Sequence, residues 1–150
     1  MNRLQTIQDF LSTKKIAIAG VSRDPKKFGG AVFKHLTENG FTVYPVNPNA
    51  ESIGESKCYP DVASLPDEVD RLYIVTPKQE TQSTLEEAIN KGIGKIWIQQ
   101  MSHTVEALSL ARNNNLDIIT RECILMYAEP VTGPHKFHRF FRKLFRTYPR

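Results

Sequence analysis

The chain has 150 residues, 40% of them hydrophobic and 24% charged, a composition that suits one ordinary globular domain and excludes a disordered or fibrous chain. Its net charge of +4 is unevenly placed: residues 134–150 carry six Lys or Arg and no acid, leaving 14 basic and 16 acidic residues, a net charge of −2, in residues 1–133. The basic character therefore belongs to the tail and is weak evidence that the whole domain binds nucleic acid.

Two units are expected, a domain over 1–133 and a basic aromatic tail over 134–150. No apolar run approaches a membrane span, and residues 1–9 lack the apolar core of a signal peptide, so the cytoplasm is the expected compartment. Cys58 and Cys123 stand far apart with no Cys-x-x-Cys spacing, which supports neither a disulfide framework nor a zinc site.

Leu4, Ile7, Phe10 and Leu11 fall at helical spacing and predict a short amphipathic helix over 3–12. Ile16, Ala17, Ile18 and Ala19 then form a continuous apolar run, the pattern of a parallel strand covered on both faces. At its end Gly20 permits a turn, and Gly29 and Gly30 permit close backbone approach where the next helix, over 30–39, begins. Ser22, Arg23, Lys26 and Lys27 lie between these glycines. A hydroxyl and three cations beside a helix N-terminus make a place for a phosphorylated ligand. The alternative is a strand-to-helix turn whose lysines are simply solvated.

The loop departs from the dinucleotide fingerprint, which would need glycines where Ser22 and Pro25 stand. The second strand, 41–46, runs into Asn47-Pro48, where an NAD site usually offers an acid to the ribose. No glycine-lysine-serine/threonine run marks a nucleoside triphosphatase. Residues 49–69 are rich in turn formers, with a short extended piece around Lys57, Cys58 and Tyr59. Strands follow over 71–76, 95–99 and 116–120, alternating with helices over 78–91 and 103–114. This alternation predicts a three-layer, doubly wound α/β fold with a parallel sheet of about five strands. Right-handed crossovers would bring the loops at Gly20, Asn47, Thr76 and Gln99 to one edge.

Taken together, Ala19-Gly20-Val21-Ser22 with Gly29-Gly30, Tyr44-Pro45-Val46-Asn47-Pro48, Gly54-Glu55-Ser56-Lys57-Cys58-Tyr59, Ile74-Val75-Thr76-Pro77 and Ile96-Trp97-Ile98-Gln99 resemble a known family. It is that of the small CoA-binding proteins similar to the nucleotide-binding domain of the succinyl-CoA synthetase α-subunit. The resemblance runs from residue 15 to about 125. It implies a Rossmann-like domain that binds coenzyme A or an acyl-CoA, with Ser22, Arg23 and Lys26 near phosphates, Asn47 and Pro48 near the adenosine end, and Thr76 and Pro77 lining the crevice. Gly20, Phe28, Gly29, Gly30 and Gln99 complete the expected site. Two departures stand out: Gln100-Met101-Ser102 where relatives often carry a glycine, and the basic tail.

A catalytic centre is not expected. Ser22, Cys58 and Cys123 are the possible nucleophiles and His35, His103, His135 and His138 the possible bases, but none forms a recognisable local arrangement. No spacing of His, Asp or Glu suggests a metal. A non-catalytic CoA-binding module therefore ranks above the alternative, an NAD(P)-dependent or other nucleotide-dependent enzyme. In the tail, Phe137, Phe140, Phe141, Leu144, Phe145 and Tyr148 recur at three- and four-residue intervals and predict a basic amphipathic helix. Its aromatic face is expected to dock on its own sheet or on a second subunit in a homodimer; an anionic membrane or a nucleic acid ranks lower.

Overall fold

The computed structural model describes residues 3–145 and 147–149. In chain order the first elements are α1 (Arg3–Leu11), β1 (Lys15–Ala19), α2 (Phe28–Glu38), β2 (Thr42–Val46), β3 (Ser52–Ile53) and β4 (Ser56–Lys57). After them come β5 (Arg71–Ile74), α3 (Lys78–Lys91), β6 (Lys95–Ile98), α4 (Val105–Asn113), a 3-10 turn (Ile124–Met126) and α5 (Gly133–Leu144).

The strongly apolar runs pair in parallel in the order β2-β1-β5-β6, while β3 and β4 make a separate two-stranded hairpin. Ala19 lies opposite Val46 on one side and Ile74 on the other. Because strand side chains alternate, β1 serves two cores at once. Ile16 and Ile18 join Tyr73 and Trp97 beneath α1, α2 and the 3-10 turn, while Ala17 and Ala19 join Leu72, Ile74 and Ile98 beneath α3 and α4. The result is the expected Rossmann-like α/β arrangement with three layers. From β1 the chain steps outward to β2, then returns past β1 to β5. The reversal lies between β1 and β5, and there the outgoing loops part and leave a crevice beyond the strand ends.

The expected fifth strand is reduced to a single parallel bridge between Trp97 and Ile119. Ile98 N–H donates to the Ile119 carbonyl at 2.8 Å, and Ile119 N–H to the Ile96 carbonyl at 3.0 Å. Beyond that bridge the Arg3 guanidinium binds the carbonyls of Ile118 (3.1 Å) and Thr120 (2.6 Å), and Arg121 takes a positive φ of 61°. These carbonyls are satisfied by a cation and the backbone turns away, so the sheet ends with β6.

Arg71, which opens an apolar strand in the sequence, is only 2% exposed. Its guanidinium donates to the Asp9 and Phe10 carbonyls, each at 2.8 Å, closing the last turn of α1, and to both carboxylate oxygens of Asp70 at 2.8 and 3.0 Å. A helix end buried against a sheet leaves carbonyls that need donors, and this arginine supplies them.

The tail forms the expected helix, α5, and it lies against its own domain, but of the expected aromatic face Tyr148 packs on the core while Phe137, Phe140, Leu144 and Phe145 do not. Glu122 is 7% exposed, and a carboxylate so buried demands a cation. Arg142 binds both of its oxygens, one at 3.0 Å, and Arg139 pairs with Glu129. These pairs turn the cationic face inward and leave Phe137, Phe140, Leu144 and Phe145 60–68% exposed.

Candidate functional site

Three loops at the carboxyl ends of β1, β2 and β5 enclose a crevice of about 800 Å³. Its β1 side is built from Gly20, Val21 and Ser22 and from Lys27, Phe28 and Gly29 at the start of α2. The conformation here is set by the loop itself. Asp24 N–H donates to Ser22 Oγ at 3.1 Å, Lys26 N–H to Asp24 Oδ1 at 2.9 Å, and Lys27 N–H to the Asp24 carbonyl at 3.1 Å. Such side-chain turns bring the chain round to begin α2 at Phe28, two residues before the predicted start. Lys27 occupies the N-cap position without a side-chain cap, so the first turn of α2 presents its amide edge to the crevice.

The glycines are required by how tightly this loop folds. A Cβ on Gly29 would stand 2.4 Å from the Gly20 carbonyl oxygen, and one on Gly30 would stand 2.3 Å from that of Asp24. Gly20 itself has φ +94°, with its missing Cβ aimed at the backbone of Val75 and Thr76. The β1 loop, the start of α2 and the end of β5 are thus seated on one another at backbone distance.

Asn47 ties the second loop to the first. Its side-chain N–H donates to the Val21 carbonyl at 2.9 Å and its Oδ1 accepts from Asn49 N–H at 2.8 Å, with Pro48 following on the crevice wall. Cys58 is buried beside it, its thiol 3.6 Å from the Asn47 carbonyl, and burial pushes that thiol up from its ordinary value. From the third loop Thr76 and Pro77 line the crevice, the Thr76 hydroxyl meeting Thr81 Oγ1 at 3.1 Å.

The opposite wall comes from α3 and from residues 60–62. Glu80, Ser83, Thr84 and Glu87, spaced by one helical turn, present hydroxyls and carboxylates, and Glu87 holds Val62 N–H at 2.8 Å. The crevice is therefore divided, with the lysine and amide edge on the β1 side and acids on the α3 side.

Of the residues singled out from the sequence, Gly20, Ser22, Phe28, Gly29, Asn47, Pro48, Thr76 and Pro77 come together as lining. Gly30 is buried beneath them. Arg23 and Lys26 are exposed on the loop between Ser22 and Lys27, outside the lining itself. Gln99 is turned into the core, where its Oε1 accepts from the Tyr73 hydroxyl at 2.6 Å and from Ile124 N–H at 3.4 Å. Lys27, the last of the three cations read from the sequence, lines the crevice, whereas the sequence reading missed the whole α3 wall. The polar stripe at 80, 83, 84 and 87, next to the Thr76-Pro77 loop, was the signal available.

Of the possible nucleophiles and bases, Ser22 lines the crevice, and the histidines and cysteines lie outside its lining. Cys123 is buried, its thiol pushed up chiefly by that burial, and it meets His135 Nδ1 at 3.9 Å away from the crevice lining. His103 lies outside the lining, and its buried Nδ1 has no hydrogen-bond partner among the described residues.

A crevice at the reversal of a doubly wound parallel sheet, walled by a glycine-rich turn and an uncapped helix start, is the setting in which α/β folds generally place a ligand site. Over residues 14–129 the chain matches the CoA binding domain family, and it belongs to that family. It is 40% identical over 131 residues to an ADP-forming acetate–CoA ligase of Archaeoglobus fulgidus, covering 85% of this chain and 20% of the ligase. An α subunit of an ADP-forming acetate–CoA ligase from Pyrococcus furiosus is 45% identical over 90 residues, 59% of this chain and 20% of that subunit. The chain thus spans about a fifth of the length of these curated relatives. Among solved structures, a small protein from Pyrococcus horikoshii superposes with a TM-score of 0.77 at 34% identity, covering 86% of this chain and 92% of its own.

Proposed function

We propose that this protein binds coenzyme A, or an acyl-CoA, in the crevice without catalysing a reaction on it. The observation that carries the reading is the Ser22-to-Gly29 wall in a chain of the CoA binding domain family. About 800 Å³ lies within the range of roughly 300–1,000 Å³ typical of small-molecule sites. The residues present fit the ligand: the amide edge of α2, the Ser22 hydroxyl and the Lys27 ammonium suit pyrophosphate oxygens, with Arg23 and Lys26 exposed on the same loop. Phe28, 36% exposed, lines the same crevice as Asn47 and Pro48 and offers an aromatic ring for an adenine to stack on. The carboxylates of α3 would repel phosphate, but they and the neighbouring hydroxyls can accept from the amides and hydroxyl of the pantetheine arm.

Catalysis has little to stand on. Burial pushes both thiols up from their ordinary values, which disfavours the thiolate, and the Cys123–His135 contact lies outside the crevice lining. Native mass spectrometry of the full chain should retain CoA at one per chain. Incubation with acyl-CoA should release no free thiol above the uncatalysed rate. Release that disappears in Cys123→Ser or His103→Ala would overturn the non-catalytic part of the reading, whereas failure to retain CoA would overturn the binding itself.

A further inference from the structure

Helix α5 is docked in a way that leaves its greasy side unused. Its rotation is decided by two ion pairs, Arg142 on the buried Glu122 and Arg139 on Glu129, and is secured by Arg142 Nη2 donating to the Thr147 carbonyl at 2.9 Å. The chain end folds back so that the Tyr148 ring rests on Tyr127, with centroids 5.3 Å apart. Opposite this seam, Phe137, Phe140, Leu144 and Phe145 are 60–68% exposed. They form one band, since the Phe141 ring lies 4.5 Å from that of Phe137, 5.6 Å from that of Phe140 and 6.0 Å from that of Phe145. Exposed aromatic bands of this kind mark an interaction surface.

The charges beside the band select its occupant. Residues 134–150 contain no acid. Glu129 and Glu122 neutralise Arg139 and Arg142, whereas Lys136 and Lys143 are exposed and have no acid in an ion pair among the described residues, Lys143 Nζ standing 5.0 Å from the Tyr148 ring centroid. Packing against a second copy across a two-fold axis would bring like charges together with no acid on the helix to answer them. An anionic lipid surface answers both features, taking the rings into the interface and the lysines among headgroups. No helix among the described residues is long and apolar enough to cross a membrane.

We propose that the exposed band of α5 seats the protein on anionic membranes, lying in the interface with Phe137, Phe140, Leu144 and Phe145 inserted. This surface is separate from the crevice and independent of what the crevice binds.

The test is cosedimentation of the full chain with vesicles of phosphatidylcholine alone and of phosphatidylcholine mixed with phosphatidylglycerol. The protein should pellet with the mixed vesicles only, and less at high salt. Phe137→Ser combined with Phe140→Ser should weaken partitioning by about tenfold or more while leaving the thermal midpoint near that of the parent. Lys136→Gln and Lys143→Gln should each weaken it by about fivefold at low salt, a second readout that leaves the aromatic band intact. Absence of binding to the mixed vesicles would overturn the proposal. So would binding that all four substitutions leave unchanged, or a dimer in solution that Phe140→Ser dissociates.

Discussion

Gly29→Ala should weaken CoA binding by about a hundredfold or more and lower stability at the same time, because the new methyl group has nowhere to go. It would lie 2.4 Å from the Gly20 carbonyl oxygen and 3.3 Å from Val75 Cγ1. Gly20 cannot retreat, since its own α-carbon is seated against the Val75 and Thr76 backbone with φ at +94°. Either α2 tilts away or the β1 loop opens, and both movements displace the amide edge and Ser22. Overpacking of this kind costs about 1–3 kcal/mol, offset in part by the roughly 0.5–1 kcal/mol that alanine gains over glycine inside a helix. Binding suffers more, because displacing two charge-assisted hydrogen bonds at roughly 1.5–3 kcal/mol each gives the hundredfold loss. Gly94→Ala, at a position with nothing within 4 Å, is the control and should leave both quantities near their parent values. Thermal melts and a CoA titration on the two variants check this, and parent-like affinity in Gly29→Ala would refute the account of the loop.

Arg71→Met should destabilise the fold by about 2–4 kcal/mol while leaving the crevice residues in place. Methionine fills the space of the side chain but offers no donor, so the buried Phe10 carbonyl loses the guanidinium at 2.8 Å. A buried acceptor left unpaired costs about 1–3 kcal/mol, and the end of α1 loses its tie to the sheet. The Asp9 carbonyl is less exposed to harm, because Ser12 donates to it from both its N–H and its hydroxyl. For a chain of this size the thermal midpoint should fall by about 4–16 °C.

The pH response of Arg71→Met supplies a second signature. The hydrogen bond from Arg71 holds the Asp70 carboxyl below its ordinary value. A carboxylate with a depressed pKa contributes stability that is full above its ordinary pKa and is lost as the pH falls through its lowered one. The parent should therefore lose that increment on acidification, and Arg71→Met should show a smaller loss over the same acid range.

Much of the architecture was legible because apolar runs of four or five residues between helical patterns admit few arrangements. Ile16 to Ala19 needed cover on both faces and received it; α3 began and ended where Pro77 and Gly92 mark it. What escaped were features set by partners distant in sequence. Whether 116–120 extends the sheet depends on Arg3, more than a hundred residues away, taking its carbonyls. The burial of Arg71 could not be read from the sequence, because nothing near it announces the carbonyls at the end of α1 that it meets.

The same logic separates the legible and illegible parts of the crevice. The β1 loop carries its own instructions in Ser22, Asp24 and its glycines, so its place could be read locally. Gln99 could not, since only the assembled core shows Tyr73 and Ile124 waiting for its side-chain carbonyl. In the tail, periodicity identified the helix, but the direction it faces was decided by Glu122, a buried acid whose need for a cation outweighed the burial of phenylalanines.

Isothermal titration of the full chain with CoA and, separately, with NAD is the most direct test of the account. Saturable binding of CoA at one site per chain, tighter than that of NAD and weakened by about 1–3 kcal/mol in Lys27→Ala, is the predicted result. NAD binding as tightly as CoA, or CoA failing to bind at all, would contradict it.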